Sequence, residues 1–128
     1  MGKSYIVGID AGGTKVSYGL FDATGAIVDK MKHATDATAD GETFSNTVIA
    51  SVRTLLERNQ LCFADLLGIG VGMPSFILYD KGYILMTASM PCIKDFAMRD
   101  YLQAHLPTRI ELDSDANLAA LAEHRRGS

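Results

Sequence analysis

The chain opens on Tyr5-Ile6-Val7-Gly8-Ile9, an unbroken apolar run rich in β-formers that ends at Asp10 and a pair of glycines. That pattern predicts a buried strand feeding a tight turn. Beyond the turn, Val16, Tyr18 and Leu20 alternate with Ser17 and Gly19, the two-residue period of a second strand. Asp22-Ala23-Thr24-Gly25 is a hairpin signal, and Ala26 to Met31 supplies a third strand. The first part of the chain therefore predicts a three-stranded antiparallel meander. From Thr35 to Gly41 the residues are polar and without period, as in a loop. Between Glu42 and Asn59 the period turns helical, with Phe44, Val48, Val52, Leu55 and Leu56 on one core-facing stripe. Asp40 and Thr43 compete as its start signal.

Leu66 to Gly72 is a second continuous apolar run, too short for a helix. It predicts a fully buried parallel strand reached through the crossover helix. After Met73-Pro74-Ser75, a turn at Asp80-Lys81-Gly82 lies between Phe76-Ile77-Leu78-Tyr79 and Tyr83-Ile84-Leu85-Met86, which predicts a hairpin. Met98, Tyr101, Leu102 and Leu106 predict a helix over 94–106, stopped by Pro107. Thr108 to Leu112 reads as a short strand, and Asp113-Ser114-Asp115 caps a last helix carrying Leu118, Leu121 and Ala122. The order is βββ-α-β-α-β-α over a single α/β domain, residues 1–128, with no internal repeat or linker.

Composition narrows the picture mainly by exclusion. With 48% hydrophobic and 21% charged residues, the chain reads as an ordinary globular domain. No apolar run approaches the roughly 20 residues of a membrane span. The N-terminus shows no basic-then-apolar leader, so a cytoplasmic location without membrane partner is the expectation. Acidic and basic residues are interleaved around a net charge of −3, which leaves no basic stripe for nucleic acid. Arg125-Arg126, the one adjacent basic pair, suits the end of a helix, where it complements the dipole. Cys62 and Cys92 form no CxxC spacing and read as two free, partly buried thiols. His33, His105 and His124 are scattered, so no metal site built from protein side chains alone is expected.

Two segments carry candidate chemistry. In Asp10-Ala11-Gly12-Gly13-Thr14-Lys15, successive glycines let the backbone turn sharply and bring its N–H groups up to an anion. The Thr14 hydroxyl and Lys15 ammonium add donors for phosphate oxygens. Asp10, ending a buried strand, is placed to hold Mg²⁺ through water. The competing reading is a tight hairpin whose Asp and Thr satisfy local backbone groups. Other nucleotide fingerprints fail: GxxxxGK[ST] is absent, and Gly68-Ile69-Gly70-Val71-Gly72 lacks GxGxxG spacing, so its glycines read as close strand packing. The second segment is Asp113-Ser114-Asp115-Ala116-Asn117, at a strand end, where ligands bind in open α/β sheets. Asp115 is placed to take the proton of a hydroxyl attacking a γ-phosphoryl group. The plain alternative is that these residues only cap the helix.

Val7-Gly8-Ile9-Asp10-Ala11-Gly12-Gly13-Thr14-Lys15 closely resembles the first phosphate motif of the ROK family of repressors and sugar kinases, within the hexokinase, actin and Hsp70 superfamily. Asp115-Ala116-Asn117-Leu118-Ala119-Ala120-Leu121-Ala122-Glu123 resembles the family's Asn-Asp-Ala-Asn-x-Ala-Ala-x-Ala-Glu segment. Gly70-Val71-Gly72-Met73-Pro74 sits where such kinases carry a Gly-x-Pro sugar-cleft loop. The resemblance implies a ribonuclease-H-like (actin-like ATPase) domain with a mixed five-stranded sheet. It implies ATP phosphates on Gly12, Gly13, Thr14 and Lys15, Mg²⁺ held through water by Asp10, and Asp115 as the catalytic base. Sugar would lie against Pro74, Ser75, Ser89, Ser114 and Asp115, while Asn117 orients the loop.

The departures from the family pattern are informative. Ser114 stands where family kinases usually carry a sugar-binding Asn. Ala88-Ser89-Met90-Pro91-Cys92-Ile93 stands where they tend to read Pro-Asn-Leu-Pro-Gly-Trp, which turns a second such Asn into Ser89. Short hydroxyls for long amides imply a sugar other than glucose, with allose as one example, or lost kinase activity. Family members are longer, and their second domain carries a zinc site and the adenosine pocket. The expectation is an N-terminal half, inactive alone, of an ATP-dependent sugar kinase that acts on a small-molecule sugar and forms a homodimer when whole. The alternatives are the sugar-sensing domain of a ROK-type repressor, a non-catalytic homologue, and an RNase-H-like nuclease using Asp10 and Asp115. The family's regulators carry a helix-turn-helix ahead of this region, whereas this chain opens on the first strand.

Overall fold

The first three strands are β1 (Tyr5–Ala11), β2 (Lys15–Phe21) and β3 (Ile27–Ala34). They form the expected meander, β1 antiparallel to β2 and β2 antiparallel to β3. This is a computed structural model, and it describes residues 4–73, 76–78, 82–87 and 90–113. The β2–β3 turn follows the sequence signal: the Asp22 carboxylate accepts from the Thr24 N–H at 2.9 Å, the Thr24 hydroxyl at 2.6 Å and the Ala26 N–H at 3.1 Å. Gly25 supplies the left-handed step at φ 88. A crossover through α1 (Gly41–Arg58) and a single 3-10 turn (Phe63–Asp65) then places β4 (Leu66–Gly72) parallel to β1 on its other side. After α2 (Met98–His105), β8 (Ile110–Asp113) pairs in parallel with β4. The resulting sheet is mixed and five-stranded, in the order β3-β2-β1-β4-β8. These pairings bear out the expected five-stranded sheet.

Asp40 proves to be the cap of α1, its carboxylate accepting from the Thr43 N–H at 2.8 Å. That hydrogen bond holds the Asp40 carboxyl below the usual carboxylate range. The far end closes in a Schellman arrangement, with the Leu61 N–H donating to the Leu56 carbonyl and the Gln60 N–H to the Glu57 carbonyl. Gln60 takes the left-handed position at φ 57. Asn59 and Arg58 fasten this end to β3: the Asn59 amide donates to Asp29 at 2.9 Å, and the Arg58 guanidinium pairs with the same carboxylate at 2.9 Å. Phe44, Val48, Ile49, Val52, Leu55 and Leu56 of α1 pack on Val7, Ile9, Tyr18 and Leu20 of the sheet, joined by Met98 and Leu102 of α2.

Three expectations need correction. The predicted helix over 94–106 begins only at Met98, because Lys94–Phe96 is a strand, β7. It adds to the hairpin of β5 (Phe76–Leu78) and β6 (Tyr83–Met86) as a second, three-stranded sheet in the order β5-β6-β7. The apolar marks that carried the helical reading start at Met98, and Asp95 at φ 49 breaks any helical run before it. The thiols of Cys62 and Cys92 are free but exposed rather than partly buried. The Cys62 thiol lies 3.4 Å from the Asp65 carboxylate in the 3-10 turn, outside the core. The last strand also runs from Ile110 to Asp113 rather than from Thr108 to Leu112. The predicted final helix lies outside the described residues.

One part-buried polar pair links the meander internally. The His33 Nδ1 lies 3.0 Å from the Ala34 carbonyl, which can only accept, so Nδ1 carries the proton. In the neutral ring Nε2 then accepts from the Tyr18 hydroxyl at 2.8 Å. Burial pushes the Tyr18 phenol up to about 12, partly offset by a hydrogen bond with Ser51. A folded-state value above the unfolded one means the native state keeps its proton longer. The contribution is therefore complete below about pH 10 and lost as pH rises towards about 12. Thermal melts of the full-length protein from pH 8 to 12 should show this alkaline loss, and Tyr18→Phe should remove it. Equal alkaline slopes for the two proteins would count against the assignment.

Candidate active site

The site begins where β1 stops. Ile9 and Ala11 are wholly buried beneath the helices, so the alternation of the strand turns Asp10 to the opposite face, where it is part-exposed. Its register partner on β2 is Ser17, which shares that face and carries no signal in the sequence beyond strand alternation. On the other side Asp10 is in register with Gly72 of β4, and Gly72 with Asp113 of β8. Three strand ends thus fall on one line across the sheet. The chain runs on from β4 through Met73 to Pro74 and Ser75, and from β8 to Ser114 and Asp115. Pro74, Ser75, Ser89, Ser114, Asp115 and Asn117 lie outside the described residues. The topology still sets β4 beside the strand that carries Asp10 and β8 next to β4, and five of these six residues follow one or other of those two strands.

The turn after Asp10 is a two-residue hairpin. The Gly12 N–H donates to the Lys15 carbonyl at 3.0 Å, with Gly13 and Thr14 at the tip. Gly13, Thr14 and Lys15 are exposed and Gly12 partly so, which leaves the tip open to a ligand. A Cβ on Gly12 would lie 3.2 Å from the Lys15 carbonyl oxygen, so the close return of the chain favours glycine there. Thr35, which the sequence places only at the start of a polar loop, braces the turn. The Thr35 hydroxyl donates to the Gly12 carbonyl at 2.8 Å, and the Thr35 N–H donates to the Thr14 carbonyl at 2.9 Å. Exposed backbone donors, a hydroxyl, an ammonium and a carboxylate on one open edge fit a polyphosphate with its divalent cation. Among the described residues no group of three or more His, Cys, Asp or Glu side chains gathers to hold a metal. A cation beside Asp10 would thus draw its remaining ligands from phosphate and water.

Of the glycines of β4, Gly68 meets the expectation of close strand packing. A Cβ on Gly68 would lie 3.1 Å from the Arg109 carbonyl oxygen, in the backbone entering β8. No helix among the described residues is long and apolar enough to cross a membrane.

A mixed sheet in this order, with a glycine hairpin joining its first two strands, defines a ribonuclease-H-like domain of the actin-like ATPase fold. The chain matches the ROK family over residues 6–128, and it belongs to that family. A glucokinase of Halalkalibacterium halodurans is 31% identical over 128 residues, which are 100% of this chain and 38% of that protein. An N-acetyl-D-glucosamine kinase of Salmonella arizonae is 30% identical over 91% of this chain and 36% of its own length. Among solved structures, a ROK family glucokinase from Streptomyces griseus in complex with glucose and AMPPNP superposes with a TM-score of 0.75 at 26% identity. That superposition covers 97% of this chain and 37% of the other. The chain thus spans little more than a third of the length of the relatives it matches.

Proposed function

We propose that the protein is an ATP-dependent sugar kinase, transferring the γ-phosphoryl group of MgATP to a hydroxyl of a hexose-type sugar, in the cytoplasm. The observation that carries this reading is the open Gly12–Lys15 hairpin at the end of β1, in line with the ends of β4 and β8. Relatives that phosphorylate glucose and N-acetylglucosamine, and one bound to glucose and AMPPNP, support it.

In this reading the Gly12–Lys15 backbone and the Thr14 and Lys15 side chains receive the phosphates. Asp10 would hold Mg²⁺ through water, and the bound ion would supply neutralisation of phosphate charge. Asp115 accepts the hydroxyl proton as the sugar oxygen bonds to the γ-phosphorus and the bridging P–O bond breaks, its electron pair leaving with ADP. A carboxylate suffices as base because a loose transition state needs little deprotonation until late. Pro74, Ser75, Ser89 and Ser114 would line the sugar subsite. Ser89 and Ser114, shorter than the amides usual in the family, favour a sugar other than glucose.

The test is ADP release by the full-length protein across a panel of hexoses and N-acetylhexosamines. At least one sugar should raise the rate well above background, and glucose should not be the best. If no sugar does so, the protein is not a sugar kinase, and the sugar-sensing regulator becomes the better reading.

A further inference from the structure

We infer that Thr35 is a positioning residue for the nucleotide site, setting the direction in which the Gly12–Lys15 hairpin presents its N–H groups. The inference rests on the kinase reading and adds a residue that no sequence motif includes. Thr35 follows β3 directly, in a polar stretch whose residues are otherwise spent on local turns and the Asp40 cap. Its two hydrogen bonds do not serve its own segment: they cross to the hairpin and take the carbonyls of Gly12 and Thr14.

The consequence follows from peptide geometry. The described chain has no cis peptide bond. In a trans peptide the C=O and the following N–H point in opposite directions. Drawing the Gly12 carbonyl to the Thr35 hydroxyl therefore aims the Gly13 N–H away from Thr35. Drawing the Thr14 carbonyl to the Thr35 N–H does the same for the Lys15 N–H. Two peptide planes of an exposed turn are fixed from behind by a single residue. Gly12 and Gly13 would otherwise leave the first of those planes free to rotate, since neither has a Cβ to restrict it. Donors aligned in advance bind an anion without a separate ordering cost.

Thr35→Val removes the hydroxyl while keeping the branched shape and the backbone N–H, and Thr35→Ser keeps the hydroxyl. In the full-length protein, steady-state kinetics in MgATP and in sugar would be combined with calorimetric titration of AMPPNP. Thr35→Val should raise the KM for MgATP and the Kd for AMPPNP about tenfold, the order expected for one lost hydrogen bond. The KM for sugar should stay within about twofold of wild type, and Thr35→Ser should recover most of the nucleotide affinity. A loss shared equally by sugar and nucleotide, or a Ser variant as weak as Val, would mean general damage to the fold and overturn the inference. A Val variant with wild-type nucleotide affinity, beside a wild-type protein that binds AMPPNP, refutes the role of Thr35 alone. A wild-type protein that neither binds AMPPNP nor turns over MgATP refutes the kinase reading, and this inference with it.

Discussion

Asp115→Asn in the full-length protein is expected to lower kcat about 10³-fold, the scale on which a positioned general base contributes. Asn keeps the size and most hydrogen-bonding reach of Asp but cannot accept the hydroxyl proton. The attacking oxygen would then carry its proton into the transition state. Nucleotide binding should be nearly unchanged, because the phosphates are assigned to the hairpin on β1 and not to the segment after β8. The decisive pair of measurements is therefore ADP release at saturating sugar and AMPPNP titration on the same preparation. Retained turnover would remove Asp115 from the base role. Lost turnover accompanied by lost AMPPNP binding would point instead to a damaged fold.

Much of the frame behind that prediction is visible in residue pattern. The run from Leu66 to Gly72 is continuously apolar because it lies between two neighbours in the sheet, and β4 has those same limits. The α1 stripe likewise names the buried residues Phe44, Val48, Val52, Leu55 and Leu56. The turn at Asp22 is local chemistry, one carboxylate serving the next few residues, and local chemistry is what a single sequence shows best.

What escaped the sequence reading depends on contacts distant along the chain. Lys94-Asp95-Phe96 has too few residues to display a period, and it is a strand only because β6 offers it an edge, with Ile84 opposite Phe96. The Phe96 ring packs over the start of α1, where a Cβ on Gly41 would fall 2.5 Å from it. That glycine looks like ordinary loop composition until β7 is in place. Thr35 is the same case at the site: a threonine in a polar stretch has many local uses, and only the fold shows both its donors spent on the Gly12–Lys15 turn. The hairpin motif itself was legible because glycines next to a strand end restrict the chemistry open to the turn. Its brace was not, because any hydroxyl brought to that place by β3 would serve.

Gly82→Ala is expected to be the most damaging single-methyl change among the described residues. Gly82 closes the β5–β6 turn at φ +59, where a residue with a Cβ costs about 1–2 kcal/mol. The added methyl would also overlap the Cβ of Arg99 at the start of α2, an atom carried rigidly by the helix backbone. The approach is held from both sides, since the Arg99 N–H donates to the Gly82 carbonyl at 3.1 Å. Relieving the overlap means lifting Gly82 off α2, which adds about 1–3 kcal/mol in the manner of other overpacked sites. Together these should lower the melting temperature of the full-length protein by roughly 6–12 °C. Gly82→Asn separates the two causes, because Asn tolerates the left-handed backbone but carries the same Cβ. An Asn variant as unstable as Ala would assign the loss to the overlap with Arg99, and one near wild type would assign it to backbone strain. A functional signature should accompany the loss. β5 follows Ser75 directly and β6 ends three residues before Ser89, so shifting their turn should raise the KM for sugar and leave the KM for MgATP, set at the far hairpin on β1, close to wild type. An Ala variant as stable as wild type would show that the Gly82–Arg99 contact does not hold the second sheet against α2.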